Sequence, residues 1–234
     1  LVFASLLLVW GSLADRYGRK LLLVVGIVIF VAASIWAGNT DSAEAMILAR
    51  VVQGIGGAMV LPTTLSLVNA NFEGKERGIA FAIWGATIGG MVAVGPVLGG
   101  WLATDFSWRW AFLINLPLGI IIVAGLLYFL GESKSEQRKG GIDWVGAIIS
   151  VVMFSTLVFG LIEGRVYGWW EQTKNQFELF GFVWPTDAIS VIPVSLAISL
   201  VATVLFVLWE KAREKAHKNV LLDLDLFKIS SFRN

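Results

Sequence analysis

Four sets of residues could do chemistry in this chain. The first is Gly11-Ser12-Leu13-Ala14-Asp15-Arg16-Tyr17-Gly18-Arg19-Lys20, one carboxylate and three cations set among glycines. Its chemistry is electrostatic. Asp15 can complement the positive N-terminus of a helix, and Arg19 can pair with a carboxylate or cover a helix C-terminus. The second is Arg50-Val51-Val52-Gln53-Gly54-Ile55-Gly56-Gly57-Ala58. An arginine inside a membrane span costs about 2.5–3.5 kcal/mol at the centre. Gly54 and Ala58, four apart beside it, make a small-residue face that favours an interior-facing helix. A snorkelling arginine at an interface is the plainer reading, and position alone favours neither. The third is Gly95-Pro96-Val97-Leu98-Gly99-Gly100. Pro96 removes a backbone donor and can kink a helix, while Gly95 and Gly99 let another helix touch its backbone. The fourth is Asn115, a polar group in an apolar run that needs a partner. Other chemistries are bounded by what is missing. There is no Cys, which excludes thiol nucleophiles, disulfides and Cys-ligated metals. The single His, His217, argues against a His-based metal site. No G-x-x-x-x-G-K-[ST] loop suggests ATP hydrolysis.

The elements that carry these residues are legible from charge. Hydrophobic residues make up 57 % of the 234 and charged residues 15 %, against about 25 % charged in soluble domains. Mean hydropathy is +0.77. A soluble enzyme or a disordered chain does not fit these values. Six stretches contain no charged residue: Leu21–Thr40, Val51–Phe72, Gly78–Thr104, Trp110–Gly131, Trp144–Ile162 and Ala188–Trp209, each 19 to 27 residues long. About 20 mostly apolar residues cross a bilayer as a helix, and lipid offers the backbone no hydrogen bonds, so the spans should be helices. Leu1–Ala14 is apolar but too short to span. It reads as the second part of a helix, and the chain as a fragment with six full spans and one partial span.

Lys and Arg orient the spans. Fourteen of the 18 fall in loops on one side, including Arg16, Arg19, Lys20, Lys75, Arg77, Lys134, Arg138 and Lys139, and the run Lys211–Lys218. The other side holds Arg109, Arg165 and Lys174. The first side is expected to be cytoplasmic. Trp36, Trp101, Trp108, Trp110, Trp144, Trp169, Trp170 and Trp209 sit at span ends, where amphipathic rings anchor. A net charge of +1 suggests no nucleic-acid partner. A protein partner such as a membrane-fusion subunit is not legible.

The first set resembles the signature loop of the major facilitator superfamily, G-x-L-a-D-r-x-G-r-k-x-x-l, and matches at every defined position through Leu23. The basic cluster alone would serve as a topology signal, but topology needs positive charge and not this spacing of Gly and Asp. The second set is similar to the superfamily motif R-x-x-q-G-x-g-a-A. The third resembles the antiporter motif g-x-x-x-G-P-x-x-G-G, with Met91 where the first Gly is usual. Trp108–Gly119, the short loop Glu132–Gly141, and Gly141-Ile142-Asp143-Trp144-Val145-Gly146 are similar to the drug:proton antiporters with fourteen spans, the EmrB/QacA-like group. Leu221–Phe227 resembles the lead into the second half of such proteins.

The resemblance implies an all-α integral membrane protein of the facilitator bundle type. Residues 1–131 would be the N-terminal bundle, with the end of span 2 and spans 3 to 6. Residues 132–209 would hold a cytoplasmic loop and two extra spans around an outer loop, 163–187, and 210–234 a cytoplasmic connector. The implied activity is proton-coupled efflux of hydrophobic or cationic drugs by alternating access, from a plasma membrane, with the proton gradient as energy source and no cofactor. It implies no enzyme chemistry and no metal. Arg50 would serve proton coupling; Gly11, Asp15, Arg16, Gly18, Arg19 and Lys20 a cytoplasmic gate; Gly95, Pro96, Gly99 and Gly100 the antiporter helix; Gln53, Gly54 and Asn115 span packing or a cavity. The alternatives are a facilitator importing a nutrient with protons, and a membrane fragment that does not transport.

Overall fold

The computed structural model describes residues 1–133, 141–179, 182–185, 189–216 and 218–222. The expected loop cations Lys134, Arg138 and Lys139, the residue His217 and the segment 223–234 lie outside the described residues. Among the described residues the chain is helical: α1 (Val2–Tyr17), α2 (Arg19–Asn39), α3 (Ala43–Asn71), α4 (Gly74–Trp101), a π-helical turn (Leu102–Phe106), α5 (Trp110–Leu113), α6 (Asn115–Phe129), α7 (Trp144–Tyr167) and α8 (Val191–Lys215). Six segments are long and apolar enough to cross a membrane: α2, α3, α4 with its π turn, α5 with α6, α7 and α8. They coincide with the six charge-free runs.

Local signals set the boundaries. Ser42 caps α3 by accepting the amide of Ala45 at 3.2 Å, with Glu44 in the positive first turn. Asp143 caps α7 through the amide of Gly146, and Ser190 caps α8 through that of Ile192. The run expected as one span from Trp110 to Gly131 is broken at Ile114. Pro117 has no amide to give the carbonyl of Leu113, so the ladder lapses there.

The chain forms two compact units, Trp10–Gln137 and Leu1–Val9 with Arg138–Asn234. In the first, α2 packs along α3 and α6, with Leu23, Ile27 and Leu67 buried among Val31, Val60, Val123, Leu126 and Leu130. The α2–α3 crossing is backbone on backbone. A Cβ at Gly56 would stand 2.6 Å from the amide nitrogen of Phe30 and 2.7 Å from the carbonyl oxygen of Gly26. Helix α4 differs from its neighbours: none of its residues is buried, and it is tied to α3 by Trp84 Nε1 donating to Thr64 Oγ1 at 3.3 Å.

In the second unit α7 and α8 run antiparallel. Ser199 Oγ donates to the carbonyl of Met153 at 3.0 Å, and Ser195 Oγ to that of Thr156 at 3.3 Å. The loop between them begins later than residue 163, because α7 continues to Tyr167. It contains a two-residue antiparallel ladder, Glu178–Leu179 with Phe182–Val183. Phe177 is held against Phe159 and Tyr167, with ring centroids 5.5 and 5.4 Å apart.

Candidate functional site

Helix α1 ends at Tyr17 and α2 begins at Arg19, so the turn between them is Gly18 alone, at φ +126°. Only glycine adopts that conformation without strain. Glycine is required a second time by space: a Cβ at Gly18 would lie 2.7 Å from Glu132 Oε1 and 2.9 Å from Oε2. That carboxylate covers the start of α2. Oε1 accepts the amide of Lys20 and Oε2 that of Leu21, both at 3.1 Å. The first amides of a helix have no internal partner and carry positive potential, so a carboxylate is their natural complement.

The arrangement is reciprocal. Lys20 Nζ donates to the carbonyls of Leu127, at 3.3 Å, and Leu130, at the end of α6 where carbonyls are left over. The Arg19 amide donates to the carbonyl of Ser133 at 2.9 Å, and its guanidinium to Ser133 Oγ at 3.2 Å. The end of α6 thus grips the beginning of α2, and α2 grips it back.

Asp15, which could complement a helix N-terminus, is next to this joint. It pairs with Arg19 one turn on, receiving Nε at 3.0 Å and Nη2 at 2.9 Å on Oδ1, because Glu132 already occupies the amides of α2. Arg16 lies with its guanidinium 5.9 Å from the Tyr17 ring. Gly11 sits on α3, where a Cβ would meet Pro62 Cβ at 3.4 Å.

A second polar assembly crosses the same unit. Arg50 Nη1 donates to Gln53 Oε1 at 2.6 Å, and Gln53 Nε2 donates to Ser34 Oγ. Asn115 Nδ2 donates to the same Ser34 oxygen and to the carbonyl of Phe112, both at 3.1 Å. Ser34 is wholly buried and Gln53 nearly so. Arg50 is an exposed residue, and its guanidinium stands 5.5 Å from the Phe112 ring. The chain Arg50–Gln53–Ser34–Asn115 therefore links α3, α2 and α6 through an otherwise apolar packing. Gln53 and Asn115 come together as neighbours of Ser34. Gly54 is half-buried, and the closest backbone approach falls to Gly56. At the far end of α2, Arg109 pairs with Asp41 across the surface.

The antiporter-type residues are not joined to either assembly. Nothing among the described residues stands within 4 Å of a Cβ built on Gly95, Gly99 or Gly100, and Pro96 lies in continuous helix beside them.

Glu132, Ser133 and Ser34 were not singled out from the sequence. Glu132 is the first charged residue after a charge-free run, which is a signal for a helix-end group but names no partner. Ser34 is one hydroxyl in a long apolar run, and only the fold aims it at Gln53.

Comparison with known proteins follows the same lines. The family described as Major Facilitator Superfamily matches residues 1–222. The multidrug export protein EmrB of Haemophilus influenzae is 32 % identical over 222 residues, covering 95 % of this chain and 39 % of that protein. A methylenomycin A resistance protein of Bacillus subtilis is 31 % identical over 233 residues, covering 99 % and 45 %. A probable actinorhodin transporter of Streptomyces coelicolor is 39 % identical over 173 residues, covering 72 % and 30 %. The chain spans less than half the length of each of these relatives.

Proposed function

The chain belongs to the major facilitator superfamily, and from that premise we propose that it is part of a proton-driven exporter of hydrophobic or cationic small molecules, working by alternating access. The observation that carries the reading is the clamp at Gly18. It is a set of discrete polar bonds at the joint between two apolar helices, and it holds one arrangement. Export rather than import rests on the Gly95-Pro96-x-x-Gly99-Gly100 pattern and on relatives named for drug export and antibiotic resistance.

The residues take these roles in the proposal. The basic loops face the cytoplasm, so Asp15, Gly18, Arg19, Lys20 and Glu132 form a cytoplasmic latch between α1, α2 and α6. Arg50 couples protonation to conformation, with Gln53, Ser34 and Asn115 carrying its displacement into α2 and α6. Gly95, Pro96, Gly99 and Gly100 give α4 a bendable face of small residues against which another helix slides. The proton gradient drives the cycle, with no cofactor and no covalent chemistry.

The test is ethidium efflux from energised cells carrying the full-length gene, with and without a protonophore. Efflux that collapses with the gradient supports the proposal. Ethidium that accumulates in proportion to the gradient points to import, and efflux that persists without the gradient removes proton coupling.

A further inference from the structure

The α7–α8 unit contains a buried charged cluster that the proposed transport cycle does not use. The charge-free run of α8 ends at Trp209, and the next residue is Glu210, whose side chain is wholly buried. Glu210 Oε2 accepts the amide of Leu221 at 3.1 Å. Oε1 is enclosed and has no hydrogen-bond partner among the described residues. Across from it stands Asp143, only 4 % exposed. The two carboxylates meet over Gly146: a Cβ there would lie 2.6 Å from Asp143 Oδ2 and 2.9 Å from Glu210 Oε1.

The two acids are not equivalent. Asp143 is fully supplied with donors. It receives the Gly146 amide at 2.9 Å, the Trp209 indole at 3.0 and 3.1 Å on its two oxygens, and Arg213 Nε at 2.9 Å on Oδ2. Glu210 is met only by the backbone amides of Leu221 and Leu222, and its Oε1 stays without a hydrogen-bond partner among the described residues. Asp143 and Arg213 are the charged groups acting on Glu210. Among the described residues one guanidinium faces two buried carboxylates, which leaves one negative charge uncompensated, and an unpaired buried charge is among the costliest arrangements a protein can hold.

We propose that Glu210 is a proton-binding site, with the proton on Oε1 directed at Asp143 and Arg213 as the counter-charge. The proton cancels the surplus charge and turns the orphan acceptor into a donor. It comes from bulk water at the end of α8 and returns there. The occupied site also holds the segment after α8. Leu221 is bound to Glu210, Arg213 Nε donates to the carbonyl of Asn219 at 2.8 Å, and Asn219 Nδ2 reaches the carbonyl of Gly141 at 3.4 Å. Loss of the proton sets two anions face to face and loosens that segment. The site is independent of Arg50 and of any transport activity.

Infrared difference spectroscopy on the full-length protein in lipid nanodiscs, titrated from acid to alkaline pH, tests this directly. The wild-type protein should show a protonated carboxyl carbonyl band at neutral pH that bleaches on alkalinisation. Glu210→Gln should lack that band. Because the amide copies the neutral acid, Glu210→Gln should also melt within a few degrees of wild type, whereas Glu210→Ala, which empties the site, should melt clearly lower. A band that survives Glu210→Gln overturns the proposal. So does a Glu210→Gln protein as unstable as Glu210→Ala, since the charged form would then be the structural one.

Discussion

Replacing Gly18 by alanine tests the clamp most sharply. Two costs combine. At φ +126° an L-residue is strained by about 1–3 kcal/mol. The new methyl would also stand 2.7 Å from the Glu132 carboxylate and must push it off the amides of Lys20 and Leu21. Those bonds lie at the surface, so together they stabilise by about 1–2 kcal/mol, as a helix N-cap does. Gly18→Ala should therefore destabilise the unit by about 2–5 kcal/mol. Glu132→Ala alone loses the bonds without the strain and should cost about 1–2 kcal/mol. In the double variant the methyl has nothing left to displace. The two effects should then fall short of additivity by about 1–2 kcal/mol, a coupling well above the error of a double-mutant cycle. The assay is unfolding of the purified protein in mixed detergent micelles, followed by helical circular dichroism across the four proteins. Additive costs would refute the reasoning, because they would mean that the carboxylate does not sit over Gly18.

Four further variants probe other parts of the unit. Arg50→Ala should abolish gradient-driven efflux while leaving membrane insertion intact, read from protonophore-sensitive ethidium efflux and membrane-fraction yield; retained coupling removes Arg50 from the cycle. Asp15→Asn should slow turnover more than it weakens substrate binding, measured as efflux rate against equilibrium binding, and wild-type values for both would reduce the loop to a topology signal. Gly56→Ala should cost about 1–3 kcal/mol by forcing α2 from α3, while Gly95→Ala, with open space around it, should leave micellar stability unchanged or raised by its better helix propensity and show its effect only in efflux rate.

The helices were legible because the property that makes them, uninterrupted apolarity, is written in single residues. Each charge-free run became a helix, and the interruption at Ile114 follows from Pro117, a residue visible in advance. The signature loop was legible as a motif, and its glycine at position 18 proved to be both the turn and the seat of a carboxylate. Its partner was not legible. Glu132 is more than a hundred residues further on, and nothing in its surroundings distinguishes an acid that caps another helix from one that faces water. Asp15 could by its chemistry complement a helix N-terminus, but Glu132 takes the amides of Lys20 and Leu21, and Asp15 pairs with Arg19 one turn away. The Asp143–Glu210 pair was hidden for the same reason. Glu210 reads as the first charge of a solvated helix end, and only the antiparallel packing of α7 on α8 encloses it. Local chemistry is readable from spacing; competition between distant groups for one set of donors is not.

The placement of polar groups constrains how the unit can move. Apolar faces of membrane helices slide at small cost, since contacts with lipid and with neighbouring side chains are nearly interchangeable. The α2–α3 crossing cannot slide, because Gly26 and Gly56 meet backbone to backbone and any shift along the axis drives a side chain into it. Helix α6 touches α2 differently. It is held at one end by the clamp of Glu132, Ser133 and Lys20, and near its start by the single bond from Asn115 to Ser34. Between those ends α6 packs its apolar residues Val123 and Leu126 on Leu23 and Ile27 of α2. The Arg50–Gln53–Ser34–Asn115 chain runs through the α2–α3 pair to the start of α6. The two assemblies therefore meet α6 at its two ends.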